Sequence, residues 1–348
     1  MRGHVFRAAQ TSVCARLRAF SLGRRNAFSS VAAPFPYERV HEPVLLNEAM
    51  AHLSPGPGKV YLDGTFGEGG YTKRILDEAD CSVVAIDQDP LAAERARELA
   101  KLYPGRMTVL WHEFGKIDAL QRCFDGIVLD IGISSGQLAS SRGFSFQTDS
   151  PLDMRMSSTP AHGSLRRLVP ADVVVNQFSS DRLADIFRRF GQERFARQIA
   201  REIERRRAKA PIATTHQLVD AVVAALPRRY VREASIHPAT RVFQSLRIYV
   251  NDELAQLQSA LASAVRMLNP GGRLVVVSFH SLEDAIVKKF FRDLALAESS
   301  DFGILTKRAV KPTDEEVNRN PRSRSAKLRA IEFTKGLTPL LERRMTCQ

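Results

Sequence analysis

Three aspartates, each closing a β-rich run, mark the places where this chain could do chemistry: Asp63, Asp87 and Asp130. The first opens the segment Asp63-Gly64-Thr65-Phe66-Gly67-Glu68-Gly69-Gly70-Tyr71, which leads into a helical stretch. Glycines let a backbone approach a ligand with no Cβ in the way, and the N-terminus of the following helix offers free N–H groups. A dinucleotide fingerprint reads G-x-G-x-x-G, whereas Gly67-Glu68-Gly69-Gly70-Tyr71-Thr72 ends in threonine, which argues against a nicotinamide oxidoreductase. An acid directly before the glycines suits a ligand bearing an ammonium or a sulfonium better than a pyrophosphate. S-adenosyl-L-methionine carries both cations.

The later strand ends extend this reading. Asp87 is placed to accept ribose hydroxyls, and Asp89 to start the next helix. The run Trp111-His112-Glu113-Phe114 offers an aromatic wall for an adenine, with Trp111 equally readable as core. Asp130, in Leu129-Asp130-Ile131-Gly132, puts a carboxylate where a reacting methyl would sit. His280 follows the fifth strand, where Ser281 and Asp284 form an N-cap pattern for another helix.

The elements that must position these residues alternate. Strands are expected at 60–62, 82–86, 107–110 and 126–129, with helices near 72–79 and 90–102 between the first three. This is the pattern of a doubly wound, Rossmann-like α/β sheet, whose ligands bind beyond the carboxyl ends of the strands. The alternation stops after Asp130. Residues 140–238 show helical periodicity, such as Leu183, Ile186, Phe187 and Phe190, and read as an inserted helical domain for RNA recognition. Within it Arg194, Arg197, Arg201 and Arg205 form a basic stripe, either a track for an RNA backbone or a solvated helix face. The α/β pattern resumes over 239–348, completing a domain begun at 34–139. It has a helix at 252–268, a Pro-Gly-Gly turn, a strand at 273–277 and antiparallel edge strands at 303–310 and 326–333. Arg322 and Arg324, in the connection between those two, are expected to be exposed.

A formal charge of +13 and a pI near 10.0 point to a polyanionic partner, nucleic acid first. Six arginines, Arg2, Arg7, Arg16, Arg18, Arg24 and Arg25, precede the first acid, Glu38, leaving +7 of the +13 for the remainder. Such an acid-free segment fits a mitochondrial transit peptide over residues 1–33, which implies a matrix protein; the alternative is a basic arm that touches RNA. No apolar run is long enough to span a bilayer. Cys14, Cys81, Cys123 and Cys347 have no metal-ligand spacing, so no metal is expected.

With these residues in view the chain resembles the ribosomal RNA small-subunit methyltransferase H family, which methylates cytosine N4, and its mitochondrial counterparts. The resemblance rests on His41-Glu42-Pro43-Val44-Leu45-Leu46, Asp63-Gly64-Thr65-Phe66-Gly67, Ala85-Ile86-Asp87 and Leu129-Asp130-Ile131-Gly132-Ile133-Ser134-Ser135. It continues through Arg142-Gly143-Phe144-Ser145-Phe146, Pro151-Leu152-Asp153-Met154-Arg155-Met156, Gly191-Gln192-Glu193-Arg194-Phe195-Ala196, His237-Pro238-Ala239-Thr240-Arg241-Val242-Phe243-Gln244 and Ser278-Phe279-His280-Ser281-Leu282-Glu283-Asp284. It implies a class I methyltransferase acting on small-subunit ribosomal RNA or an assembling subunit, with Gly69, Gly70, Tyr71, Asp87, Phe114, Asp130 and Gln137 on the cofactor. Two departures stand out. Tyr71 replaces a frequent histidine, and Ser135-Gly136-Gln137-Leu138-Ala139 replaces Ser-Pro-Gln-Leu-Asp, removing a proline from that loop.

Methylating an exocyclic amine needs an acceptor that polarises its N–H. Asp130 is the first candidate, with Ser134, Ser135 and Arg155 as positioning groups and His280 as a further catalytic candidate; Asp130 also reads as a cofactor contact alone. Carbon methylation would need a thiolate, and Cys81 and Cys123 lie before their strands, at the far edge. Phe144, Phe146 and Phe279 are candidates to stack on the base. The function of a different class is a noncatalytic RNA-binding assembly factor with the same fold, which intact Asp63, Asp87 and Asp130 oppose.

Overall fold

A computed structural model describes residues 43–157, 168–297 and 300–334; the arginine-rich leader expected over 1–33, Cys14 and Cys347 lie outside them. The strands are β1 (Val60–Asp63), β2 (Ser82–Asp87), β3 (Met107–Trp111), β4 (Phe124–Ile131), β5 (Leu268–Ser278), β6 (Phe302–Ile304) and β7 (Lys327–Phe333). They form one sheet in the order β3-β2-β1-β4-β5-β7-β6, with β7 antiparallel to both neighbours. The order reverses beside β1, so the loops after β1 and β4 splay apart and leave a crevice. This is a Rossmann-like α/β fold.

Helices α1 (Leu46–Leu53), α2 (Gly70–Glu78), α3 (Pro90–Ala100) and the short α4 (Ser135–Ala139) accompany the first four strands. Strand side chains alternate between faces. Leu62, Ile127, Leu129, Leu274 and Val276 bury one face, and Tyr61, Val83, Val128, Val275 and Val277 bury the other. A sheet covered on both sides needs such apolar runs, which is why the strands were conspicuous.

Next come α5 (Ala171–Gln177), α6 (Ser180–Gly191), α7 (Ala196–Arg207), α8 (Thr215–Ala224), α9 (Arg228–Glu233) and α10 (Thr240–Asn251). Leu183, Phe187, Ile199, Ile203, Leu218 and Val222 make a separate helical core. That core does not stop at residue 238, because Val242, Phe243, Leu246 and Val250 on α10 belong to it. The helix expected at 252–268 is α11 (Glu253–Arg266), set off from α10 by Asp252 in a left-handed conformation at φ 53°. Of the basic stripe, Arg194 covers the Phe195 and Tyr230 rings at 4.7 and 4.3 Å, and Arg205 pairs with Glu202 at 2.6 Å. Arg197 and Arg201 are exposed.

After β5 come α12 (Ser281–Ala295) and, before β7, α13 (Asp314–Arg319). Two boundaries differ from expectation. β5 begins at Leu268 and absorbs the Pro-Gly-Gly segment, with an irregular register against β4. In the run at 303–310 the regular strand ends with β6 at Ile304; beyond it Leu305 donates its N–H to the Ala330 carbonyl at 3.0 Å, and Val310 forms an isolated bridge to Leu328. Among the described residues no helix is long and apolar enough to cross a membrane.

Candidate active site

The carboxyl ends of β1, β2 and β4 meet over a cavity of about 340 Å3, within the range of small-molecule sites. Gly67, Gly70 and Tyr71 from the first loop, Asp87 from β2 and Phe114 beyond β3 line it. Asp130, Ser134 and Gln137, at and after the end of β4, complete that wall.

Asp63 and Gly69 lie one layer beneath. The Asp63 carboxylate accepts the Thr72 hydroxyl at 2.7 Å and the Thr65 N–H at 3.1 Å, and burial raises its pKa to about 6. Gly69 takes φ +82° at the start of α2, where a Cβ would stand 2.5 Å from the Phe66 ring. Both shape the loop without facing the cavity.

Asp87 binds the loop as well as facing the cavity. One oxygen accepts the Gly67 N–H and the other the Asp89 N–H, each at 2.8 Å. Its depth in the chain pushes its pKa up to about 6. Asp89 caps α3 as expected, accepting from the Leu91 N–H at 3.1 Å, and also receives Arg142 at 2.5 Å. Tyr71 is buried, and its hydroxyl donates to the Val44 carbonyl. The side chain thereby holds Pro43 and Val44 against the cavity, which both line.

The loop lacking a proline is held by other means. Ser134 and Gln137 cap α4 reciprocally, at 3.1 and 3.0 Å. Gly136 donates its N–H to Glu68 at 3.0 Å, a bond that a proline could not make. Gln137 is buried and reaches Asp89 at 3.1 Å.

Asp130 is the electrostatic centre. Its N–H donates to Thr65 Oγ1 at 2.7 Å, while its Oδ1 is shut off from water and has no partner among the described residues. Burial, with the Asp63 and Glu283 carboxylates adding to it, raises its pKa to about 8. A carboxyl group in this state readily takes up positive charge or exchanges a proton.

Three candidates do not line the cavity. The Ser135 hydroxyl accepts from Arg322 at 2.8 Å. Arg155 is engaged by Asp153 at 2.7 and 2.9 Å. His280, rather than Ser281, caps α12: its Nδ1 accepts the Glu283 N–H at 3.3 Å, and Glu283 returns to the His280 N–H at 3.2 Å. Ser281 instead donates to Gln192 at 3.0 Å, and Asp284 pairs with Lys327 and Arg329.

His280, Glu253 and Glu283 bring donor atoms within 4.8 Å of one another. With Nδ1 accepting in the cap, a neutral ring carries its proton on Nε2, leaving no lone pair there for a metal. That nitrogen lies 2.9 Å from Glu283 Oε1, yet the two are not aligned as a hydrogen bond. The ring is committed to the helix cap.

Of the aromatic candidates only Phe279 lines the cavity. Phe144 is in the helical core under Arg142, and Phe146 packs on His237 and Phe243 at 4.7 and 5.0 Å. Trp111 turns away, its indole N–H donating to the Gln88 carbonyl at 2.8 Å. Sequence reasoning missed Thr65, Glu68 and the pair Arg247–Glu253, which joins through two 2.8 Å bonds at the cavity wall. The helix break at Asn251-Asp252-Glu253 was the available signal for that pair.

Residues 38–334 match the MraW methylase family, a span containing every element around this cavity. The chain belongs to that family. Curated relatives in Brucella ovis and Brucella melitensis, both ribosomal RNA small subunit methyltransferase H, are 49% identical over 310 residues, covering 83% of this chain and 86% of theirs. A putative methyltransferase from Streptococcus mutans, solved in complex with SAH, gives a TM-score of 0.40 at 12% identity, covering 83% of this chain and 98% of that one. The family assignment rests on the sequence match.

As an MraW methylase the protein is a methyltransferase that uses S-adenosyl-L-methionine. Its cavity fits that cofactor. The unpartnered Asp130 oxygen suits a cation, Gly67 and Gly70 leave room for close approach, and Phe114 offers an apolar wall near Asp87. When bound, the cofactor supplies a methyl group on a sulfonium sulfur that departs as a neutral thioether. Of this MraW methylase's own residues, Asp87 and Asp130 would hold the cofactor from the ends of β2 and β4, and Tyr71 closes the cavity through Val44.

Proposed function

We propose that this MraW methylase methylates the N4 amino group of a cytosine in small-subunit ribosomal RNA, within the mitochondrial matrix, in support of ribosome maturation. The observation that carries the amino-group assignment is the Asp130 oxygen, buried, unpartnered and set at the end of β4 beside the cavity. An exocyclic amine shares its lone pair with the ring, so it must lose a proton as its bond to carbon forms. Burial keeps the Asp130 carboxyl protonated up to about pH 8, and the positive charge of a bound sulfonium favours its ionised form, which accepts the amino N–H, polarises it and takes that proton. Thr65 holds the Asp130 backbone in place throughout.

The two cysteines among the described residues support nitrogen over carbon. Cys81 precedes β2, with its thiol donating to the Ile75 carbonyl, and Cys123 precedes β4. Both lie at the amino ends of strands whose carboxyl ends carry the cavity. The RNA class is supported by the names of the Brucella relatives and by the charge of +13. The matrix assignment draws on the acid-free leader.

Nucleoside mass spectrometry of small-subunit RNA, from cells with and without the protein, tests the proposal. N4-methylcytidine that disappears with the gene is the expected result. Loss of C5-methyl or ribose-methyl cytidine instead would refute it.

A further inference from the structure

Residues Pro321–Ser325 form a 3-10 turn over the mouth of the cavity, and the turn is firmly seated. Ser323 is fully buried, its hydroxyl donating to the Asn320 carbonyl at 2.8 Å, and the Asn320 side chain accepts the Arg322 N–H at 3.3 Å. The turn presents Arg322, an exposed residue that nonetheless lines the cavity. Its guanidinium donates to Ser135 Oγ at 2.8 Å, bridging residues 187 apart in the chain. No carboxylate pairs with it among the described residues. Most of its N–H donors are therefore unspent, and its charge is uncompensated.

The sheet order says which ligand passes beneath it. Asp87 and Phe114, which line the cavity, lie toward the β2–β3 side, whereas Ser135 follows β4 and Arg322 precedes β7. Arg322 thus stands on the β4–β5–β7 side, which is left for the methyl acceptor once the cofactor lies along Asp87 and Phe114. A guanidinium fork matches phosphate geometry and gives two charge-assisted bonds. A serine hydroxyl is a weak, neutral partner that an anion readily replaces.

We propose that Arg322 binds a backbone phosphate of the RNA strand next to the target nucleotide, exchanging its bond to Ser135 for that phosphate. The inference rests on the reading of RNA as the substrate, and assigns a residue through which the strand is registered over the cavity. The neighbouring Arg324 is exposed and adds to the same positive field.

The test measures methyl transfer to small ribosomal subunits purified from mitochondria of cells lacking the protein, across a range of salt, for wild type, Arg322→Gln and Arg322→Lys. Binding of S-adenosylhomocysteine by calorimetry is the folding and cofactor control. Arg322→Gln is expected to raise KM for the subunits about tenfold. It should also flatten the slope of log kcat/KM against log salt by about 0.7 to 0.9. Arg322→Lys should recover part of the affinity and the full slope, and S-adenosylhomocysteine affinity should stay the same in both. A folded Arg322→Gln protein with unchanged kcat/KM and slope would overturn the assignment. So would a defect confined to S-adenosylhomocysteine affinity, which would put the guanidinium on the cofactor's carboxylate. Wild-type protein that leaves the subunits unmethylated would remove the RNA reading itself, and the assignment with it.

Discussion

Thr65 and Asp130 are tied together across the sheet: the Thr65 hydroxyl oxygen accepts the Asp130 N–H at 2.7 Å. The same threonine donates its own N–H to Asp63 at 3.1 Å. One residue therefore sets the spacing between the loop after β1 and the end of β4, and with it the Asp63 and Asp130 carboxylates. Thr65→Val keeps the shape but leaves the Asp130 N–H unpaired, at a cost of about 1 to 3 kcal/mol. Thermal melts should show that loss, and kcat should fall further than S-adenosylhomocysteine affinity. A variant with wild-type kcat would show that Asp130 is positioned by something else.

Asp87→Asn keeps an acceptor for the Gly67 N–H but removes the charge that faces the cavity. Weakening of S-adenosylhomocysteine binding by about 1.5 to 3 kcal/mol is expected, and Asp87→Ala should cost more because the loop is released too. Calorimetry giving the same affinity in a folded Asp87→Ala protein would contradict the ribose assignment.

The Asp130 carboxyl has a folded pKa near 8 against an ordinary 3.8. Between those values the folded chain holds a proton that the unfolded chain has released, so this group makes stability fall as pH rises from about 4 to 8. Asp130→Asn removes that dependence. Its gain in stability over wild type should therefore be larger at pH 8, about 1 kcal/mol or more and roughly 2 °C in Tm, than at pH 5. Asp63 and Asp87, also raised to about 6, remain in both proteins and act with the same sign. Equal gains at the two pH values would mean that Asp130 ionises normally. Turnover of the variant should be lost.

Arg247 and Glu253 share two bonds of 2.8 Å, with side chains only 15% and 6% exposed. Arg247→Met alone strands a buried carboxylate, and about 3 to 5 kcal/mol of stability should go with it. Adding Glu253→Gln should restore a large part. A double variant no more stable than the single one, by denaturant unfolding, would show that the pair is not the source of the cost.

Deleting residues 1–33 should leave S-adenosylhomocysteine binding intact and abolish delivery to mitochondria. Fractionation and N-terminal sequencing of the full-length protein check the complementary point. A cytosolic protein still beginning at Met1 would favour the basic RNA-binding arm.

Local pattern alone placed the sheet and its ligand-bearing end. Strands buried on both faces must be apolar runs, and the loops that follow them must be polar or glycine-rich, so Asp63, Asp87 and Asp130 could be assigned to strand ends in order. The same locality explains Asp89 at a helix start and the exposure of Arg322 and Arg324. The loop after the first strand already suggested a sulfonium cofactor, and family resemblance added the substrate class and the amino-group chemistry.

What the fold decided is which side of each residue meets the cavity. His280 lies just beyond the end of β5, on the same side of the sheet as Asp130 at the end of β4, yet the turn into α12 commits its ring to Glu283. Phe144 and Phe146 are drawn into a helical core that no local period reveals, because α10 reaches it from beyond the insertion. β7 takes the place inside the edge, between β5 and β6, although it comes last in the chain. The contacts that complete the site join residues far apart in sequence: Thr65 to Asp130, Gln137 to Asp89, Arg322 to Ser135. A side chain's orientation depends on which distant surfaces close around it, and burial free energy selects those surfaces only once the whole sheet and its helices have packed.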